Sequence, residues 1–445
     1  VTGAPRAAWR WVSIAATLLG PFAALPLPAA AEVIKNLSAA DLFELADRAR
    51  TKGNHAEAAK LYDALSNDPD ADVRAEARFR KGLMFADQRR YLEAATAFRA
   101  LLDEKPDAVR ARLELARMLA AMGDESSARR ALRQAQASGL PPDVAVTVDQ
   151  FARAIRATRR LGGSLQVALA PDSNINRATQ LRTLDTVIAP LTLSRDARAQ
   201  SGVGLSVAAQ GFAKLSLGER LSLVPKLSGS GNFYRDGTFN DISGSALIGL
   251  EWQQERQRWS LSLGKTYRWY GGQRYATTDT VALDWLRTFG GRTQLVANGS
   301  ISRARYLRNA AQDGKIFDLG LTAEHVFKPT WGGSLTLSAT RQSARDPGYA
   351  TTSGGVVALA WHELGAATVF ASVGGRRTVG DARLFLFPDA RREWLLNARI
   401  GATLRQLAFK GFAPLVRLGY ERNSSTVPIY AYRRVVGEVG LARSF

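Results

Sequence analysis

Arg434-Val435-Val436-Gly437-Glu438-Val439-Gly440-Leu441-Ala442-Arg443-Ser444-Phe445 closes the chain and shows what kind of sheet it builds. Val435, Gly437, Val439, Leu441 and Phe445 share one parity, interrupted only by Arg443, while Arg434, Glu438, Gly440, Ala442 and Ser444 share the other. Alternate side chains of a strand face opposite sides, so one face of this strand suits lipid and the other a watery lumen. The pattern predicts the last strand of a transmembrane β-barrel. Val439, Leu441 and Phe445 then form a C-terminal signal of the kind read by the bacterial barrel-assembly machinery.

Working backwards, short alternating segments recur as far as Leu161. They begin at Gly163–Ala170, with Leu165, Val167 and Leu169 outward, and number about fourteen, an even count as in bacterial single-chain barrels. Aromatics bracket the apolar parity, as Trp259 with Tyr267 and Trp269, and Phe317 with Phe327, matching belts at two membrane interfaces. The opposite parity carries Glu251, Arg268, Asp318, Glu324, Arg399, Arg405, Arg417 and Glu421, a lumen of mixed sign. Tight turns are expected near Gly218, Gln254, Gly290–Gly291, Lys328–Pro329, Gly365 and Gly411. Longer connections are expected between them, at Asp172–Ala197, Asp236–Asn240, Gly271–Thr278, Leu307–Gly314, Asp346–Ser353, Gly380–Ala390 and Asn423–Pro428. Short turns belong on the periplasmic side and long loops outside.

Residues 38 to about 158 have another texture, rich in Ala, Leu, Arg and Glu with apolar positions at helical spacing. Gly53, Ala58 and Tyr62 lead to Pro69; Gly82, Tyr91, Ala94 and Phe98 lead to Pro106; Ala116, Gly123, Ala128 and Leu132 lead to Pro141 and Pro142. The period of roughly 34–36 residues matches tetratricopeptide repeats. Such helix pairs stack into a superhelix whose concave face binds protein, or into a plain spacer. Tyr62, Tyr91 and Phe98 read as core, and Arg78 and Arg112 as candidate cargo contacts. A closing helix, Asp149 to Arg160, leads on to the barrel, with Arg residues that could face anionic headgroups or plain solvent. The fold expected is therefore α+β multidomain, an all-α repeat solenoid over 32–160 followed by an antiparallel barrel over 161–445.

The first residues read as a secretory signal over 1–31: Arg6 and Arg10, an apolar core from Trp11 to Leu25, then Ala29 and Ala31 at a cleavage site. No Cys is present, which excludes structural disulfides and a lipid-bearing Cys. The formal charge of +20 raises nucleic acid as a partner, but the Arg residues are dispersed and no nucleic-acid motif accompanies them. A basic barrel in an outer leaflet of anionic lipid is the simpler account.

After the first strand stands Pro171-Asp172-Ser173-Asn174-Ile175-Asn176. Helical repeats, a strand, this run and a barrel ending in Phe445 together resemble the surface lipoprotein assembly modifiers, the Slam proteins of type XI secretion systems. The resemblance covers nearly the whole mature chain, although this solenoid is short, about three repeats. It implies an outer-membrane translocator that carries particular lipoproteins, or secreted haem- and metal-binding partners, to the cell surface, with the helical module in the periplasm. Taken by themselves, Asp172, Ser173, Asn174 and Asn176 are suited to bonding nearby backbone and holding a turn; a calcium or substrate site is the other reading.

No cofactor or metal site is expected. The three His residues, His55, His325 and His362, form no metal-spaced cluster, and no nucleophile elbow or phosphate loop occurs. An enzyme is therefore not expected. An exopolysaccharide export porin with periplasmic repeats is the alternative to the translocator, and a passive nutrient porin would leave the solenoid unexplained.

Overall fold

A computed structural model describes residues 37–138 and 161–444, apart from 255, 366, 405–406 and 408–411. The expected signal segment, the closing helix Asp149–Arg160, Arg405 and Phe445 lie outside the described residues.

Three helical hairpins come first: α1 (Ala39–Thr51) with α2 (His55–Leu65), α3 (Ala71–Asp87) with α4 (Tyr91–Glu104), and α5 (Val109–Met122) with α6 (Glu125–Gln136). Ser38 and Asp41 form a capping box on α1, and the Asp70 and Asp124 side chains accept backbone N–H bonds at the starts of α3 and α6, satisfying donors that a helix start leaves free. Ala46, Ala58, Ala94, Ala116 and Ala128 are fully buried where helices cross, and their small size sets the close approach. Tyr62 and Phe98 fill the core and Tyr91 packs against it. Tyr62 donates to Asp47; burial first, and that bond second, push its phenol well above the ordinary tyrosine range.

Fourteen antiparallel strands then close on themselves. They are β1 (Leu161–Asp172), β2 (Gly202–Ala213), β3 (Leu221–Tyr234), β4 (Asp241–Gln254), β5 (Gln257–Tyr270), β6 (Gln273–Phe289), β7 (Thr293–Tyr306), β8 (Gly314–Lys328), β9 (Trp331–Gln342), β10 (Thr351–Leu364), β11 (Ala367–Arg383), β12 (Ala390–Leu404), β13 (Ala413–Ser425) and β14 (Tyr432–Ser444). Each pairs with its sequence neighbours, and β1 pairs with β14 to complete the ring. Closure removes the free edge that lipid could not satisfy.

Parity follows the sequence reading. On β14, Val439 is 59% exposed and Leu441 also faces outward, while Arg434 and Glu438 pair with inward groups on β1 and β13. The lumen charges neutralise one another across strands, Arg268 with Asp241, Arg399 with Glu421, and Glu251 with Lys214. At the short-turn end Trp259 and Trp285 lie 5.9 Å apart, and Phe327 stacks on Trp331 at 4.3 Å, forming an interfacial belt.

Several boundaries differ from expectation, as strands reach into expected connections at 351–353 and 380–383, and two more are informative. The connection expected over Gly271–Thr278 is a two-residue hairpin. Gly271 and Gly272 both have positive φ, 57° and 73°, the geometry of a tight turn matched to strand twist. The residues after them extend as β6 instead of looping. The first strand also runs past Ala170, since Pro171 and Asp172 still lie in register with Val203 and Gly202.

The seam between β1 and β14 depends on Gly440. A Cβ there would run into the Val167 carbonyl and the Ala168 backbone of the facing strand. Gly440→Val is therefore expected to abolish the heat-modifiable, folded form in outer-membrane extracts. Gly375→Ala on β11, where a Cβ meets nothing within 4 Å, is expected to leave that form intact. Equal folding of both variants would show that the seam tolerates a side chain at Gly440.

Candidate functional site

Two constellations join parts of the molecule that are far apart in sequence. The first lies at the long-loop end of the β1–β14 seam. Backbone pairing runs from Ser164 to Leu169 and resumes only at Asp172; Pro171, in the gap, has no amide hydrogen to donate. Just past the gap, side chains reinforce the resumed backbone pairing. Arg434 donates to Asp172 at 2.6 and 2.8 Å, and the Asp172 carboxylate is 1% exposed. The Ser173 amide donates to the Val435 carbonyl at 3.0 Å, and the Val435 amide returns a bond to the Ser173 hydroxyl at 2.8 Å. Asn174 donates to the carbonyls of Ala178 and Arg433 and accepts from the Ala178 amide. Asn176 donates to the Asp196 and Arg198 carbonyls and accepts from the Gln200 amide, tying down the far end of the first loop. The whole Pro171–Asn176 run is thus a clasp between the first strand, the last strand and the first outer loop.

The clasp continues inside the lumen. Glu421 on β13 sits 3.5 Å from Arg434, 3.5 Å from Arg177 and 3.3 Å from Arg399. One carboxylate thereby links β12, β13, β14 and the loop after β1. Among the described residues no group of three or more His, Cys, Asp or Glu is placed to hold a metal.

The second constellation is at the short-turn end, where α6 is seated against the barrel mouth. Arg133 donates to Gln294 at 3.0 Å and to Glu324 at 2.7 Å. Gln134 donates to Glu363 at 2.9 Å and accepts from Arg112. Gln294, Glu324 and Glu363 belong to β7, β8 and β10 and share the inward parity of their strands. The Arg130 guanidinium lies over the Trp361 ring, and Arg292 in the β6–β7 turn donates to the Gln136 carbonyl at 3.3 Å. Helix α6 therefore grips side chains of the lumen face. It fixes the helical module on the same side as the short turns, the periplasmic side.

Neither candidate cargo arginine is exposed as expected. Arg112 is 1% exposed and donates to Gln134 and the Pro106 carbonyl, with Glu363 3.5 Å away. Arg78 pairs with Glu104 at 2.6 Å and bonds the Ala100 and Ser66 carbonyls; that bond, with Arg74 adding to it, holds the Glu104 carboxyl below its ordinary range. Both side chains clamp successive helix pairs, because a guanidinium near a repeat turn meets the free carbonyls there. Val439 and Leu441 lie on the outer wall of β14. Sequence reasoning missed Arg133, Gln134, Gln294 and Glu363, since polar residues on a helix face or on a lumen parity read as solvated until a partner surface is known. Asp172 and Arg434 carried a usable signal: inward charges of opposite sign on the two strands that must meet.

A family model described as surface lipoprotein assembly modifier matches residues 163–445. The chain belongs to that family. Two tetratricopeptide models match residues 43–109 and 85–145. Surface lipoprotein assembly modifier 1 of Haemophilus influenzae is 22% identical over 369 residues, 80% of this chain and 74% of that one. Among solved structures, the outer-membrane protein OmpT of Vibrio cholerae aligns at 9% identity and a TM-score of 0.39, covering 64% of this chain and 97% of its own. The toluene transporter TodX of Pseudomonas putida aligns at 11% and 0.33, covering 65% and 89%. A bacterial polysaccharide outer membrane secretin aligns at 11% and 0.31, covering 64% and 98%. Family and barrel together make this an outer-membrane protein of surface lipoprotein assembly, from a family of assembly factors.

Removing one partner of a buried ion pair costs about 3–5 kcal/mol. Arg434→Ala, which strands the Asp172 carboxylate, is expected to lower the temperature at which the folded band converts to the unfolded one. Adding Asp172→Asn should recover part of the loss. No shift in the single variant would remove the clasp from the list of what holds the seam. For the dock, the absence of native Cys allows a clean probe: Gln136→Cys with Arg292→Cys should cross-link readily, and Glu324→Ala with Glu363→Ala should slow that cross-link severalfold. An unchanged rate would mean that the lumen-face carboxylates do not hold α6.

Proposed function

We propose that this chain delivers particular proteins, lipoproteins or secreted haem- and metal-binding partners, from the periplasm to the cell surface. The observation that carries the reading is the α6 dock. A repeat module of a kind that binds protein is held by Arg133 and Gln134 to the lumen face of the barrel mouth. A cargo captured by the module is thereby placed at the entrance. The dock is ionic and polar, and such contacts exchange with water at less cost than an apolar core, which suits an entrance that must open.

The exit belongs at the β1–β14 seam in this reading. Fourteen strands enclose less than the about 16–18-stranded porins that leave an aqueous channel, so a polypeptide needs more room than the closed lumen offers. The seam has an interruption at Pro171 and is completed by the side-chain clasp instead of backbone bonds alone. The barrel-assembly machinery and outer-membrane lipid are the further partners in this reading, the first through Val439, Leu441 and Phe445.

The test is surface proteomics on cells carrying the intact chain, the chain without residues 39–136, or none. Protease shaving should show a small set of proteins lost from the surface of the last two and retained in their periplasm. If surface proteins are unchanged while exported polysaccharide falls, the chain is an export porin and the delivery reading is wrong. Locking the seam with a Cys pair at facing positions of β1 and β14 should block display; undiminished display would rule out a lateral exit.

A further inference from the structure

The outer wall of β5–β8 is graded in rows, because the register aligns outward side chains across four strands. The lowest row is Trp259, Trp285, Ala297 and Leu321; the next is Leu261, Leu283, Gly299 and Leu319; the third is Leu263, Val281, Ile301 and Phe317. The fourth row breaks the pattern: Lys265, Asp279, Arg303 and Lys315. Successive outward rows are spaced by two residues, about 6.6–6.8 Å along a strand. The change from hydrocarbon-facing to charged side chains therefore happens within one step, toward the long-loop end.

Two more cations border this row. Arg305 follows Arg303 on the outward parity of β7, and Arg274 lies beyond the row near the start of β6, over the Tyr267 ring at 5.4 Å. All five cations are exposed. Against them stands one carboxylate, Asp279, 3.1 Å from Lys265. Among the described residues no carboxylate pairs with Arg303, Arg305 or Lys315. At another place on the wall such charge is cancelled, where Arg341 meets Asp381 with two bonds of 2.5 Å. Charge on a barrel's outer face is costly at mid-membrane and tolerated near its boundary, where long side chains reach the headgroup layer. An uncompensated cationic patch at that level attracts an anion on the same level.

We propose that this patch binds a phosphorylated, multi-acyl glycolipid of the outer leaflet, with its phosphates on Lys265, Arg303, Arg305 and Lys315 and its acyl chains along the apolar rows below. The three rows beneath supply the apolar half of the site, which a soluble polyanion would leave unused. Guanidinium groups match phosphate oxygens in pairs, and two phosphates on one lipid span more of the patch than a single one. The site is independent of the delivery reading and stands if that reading fails.

The test uses the purified full-length chain in nonionic detergent, titrated with bisphosphorylated lipid A, its monophosphorylated form, phosphatidylglycerol and inorganic phosphate. The bisphosphorylated lipid should bind most tightly, and the variant with Lys265→Gln, Arg303→Gln, Arg305→Gln and Lys315→Gln should bind it at least tenfold more weakly. Asp279→Asn, which removes the opposing charge, should bind it more tightly than the parent. Heat-modifiable migration checks that both variants remain folded. Equal binding by the fourfold variant and the parent would overturn the site. Phosphatidylglycerol binding as tightly as lipid A would overturn the glycolipid assignment, and inorganic phosphate competing at the same concentration as lipid would show that the acyl rows play no part.

Discussion

Everything in this molecule depends on the first barrel strand meeting the last. A membrane sheet with an open edge would leave backbone N–H and C=O groups in hydrocarbon without partners, which the bilayer does not tolerate. The chain meets this constraint with β1 against β14, strands separated by the whole barrel in sequence. The pairing is close enough that Gly440 cannot carry a side chain, and it is interrupted at Pro171. Just past that interruption, side chains of Asp172, Ser173 and Asn174 add bonds to Arg434, the Val435 amide and the Arg433 carbonyl. The same residues turn the chain into its first long loop, so closure of the barrel and the course of that loop are one structural fact.

The opposite end of the molecule applies a related economy. Residues whose parity assigns them to the lumen, Gln294, Glu324 and Glu363, are used at the mouth as sockets for α6. The helical module is thereby oriented by the barrel and not merely tethered to it. The third repeat pair has two duties. Its alanines pack against the preceding pair, while Arg133 and Gln134 on other faces of α6 hold the barrel. Arg112 on α5 joins these two duties, since it touches Gln134 within the module and lies near Glu363 outside it.

Much of this was legible in the sequence, for physical reasons that can be named. Period-two alternation in β14 and aromatic brackets on β5 report a strand between lipid and water, because burial of each face is decided locally by the bilayer and the lumen. Repeated small residues such as Ala58, Ala94 and Ala128 report paired helices, because only small side chains fit where axes approach. The expected loop at Gly271–Thr278 failed because two adjacent glycines can make the whole turn, leaving Arg274 to Thr278 free to extend. Arg78 and Arg112 were misjudged as exposed, because a sequence shows charge but not the carbonyls and carboxylates that take it out of solvent.

The sequence by itself therefore determined the two-part architecture, the strand count, which parity faces lipid, and the family to which the chain belongs. These follow from short-range patterns that each strand or helix carries alone. Only the tertiary structure decided which charges meet: Asp172 with Arg434 across the seam, Arg133 with Glu324 across 191 residues of chain, and Lys265, Asp279, Arg303 and Lys315 in one outward row. Such pairings depend on register and closure, properties of strands taken together, and no single stretch of the chain encodes them.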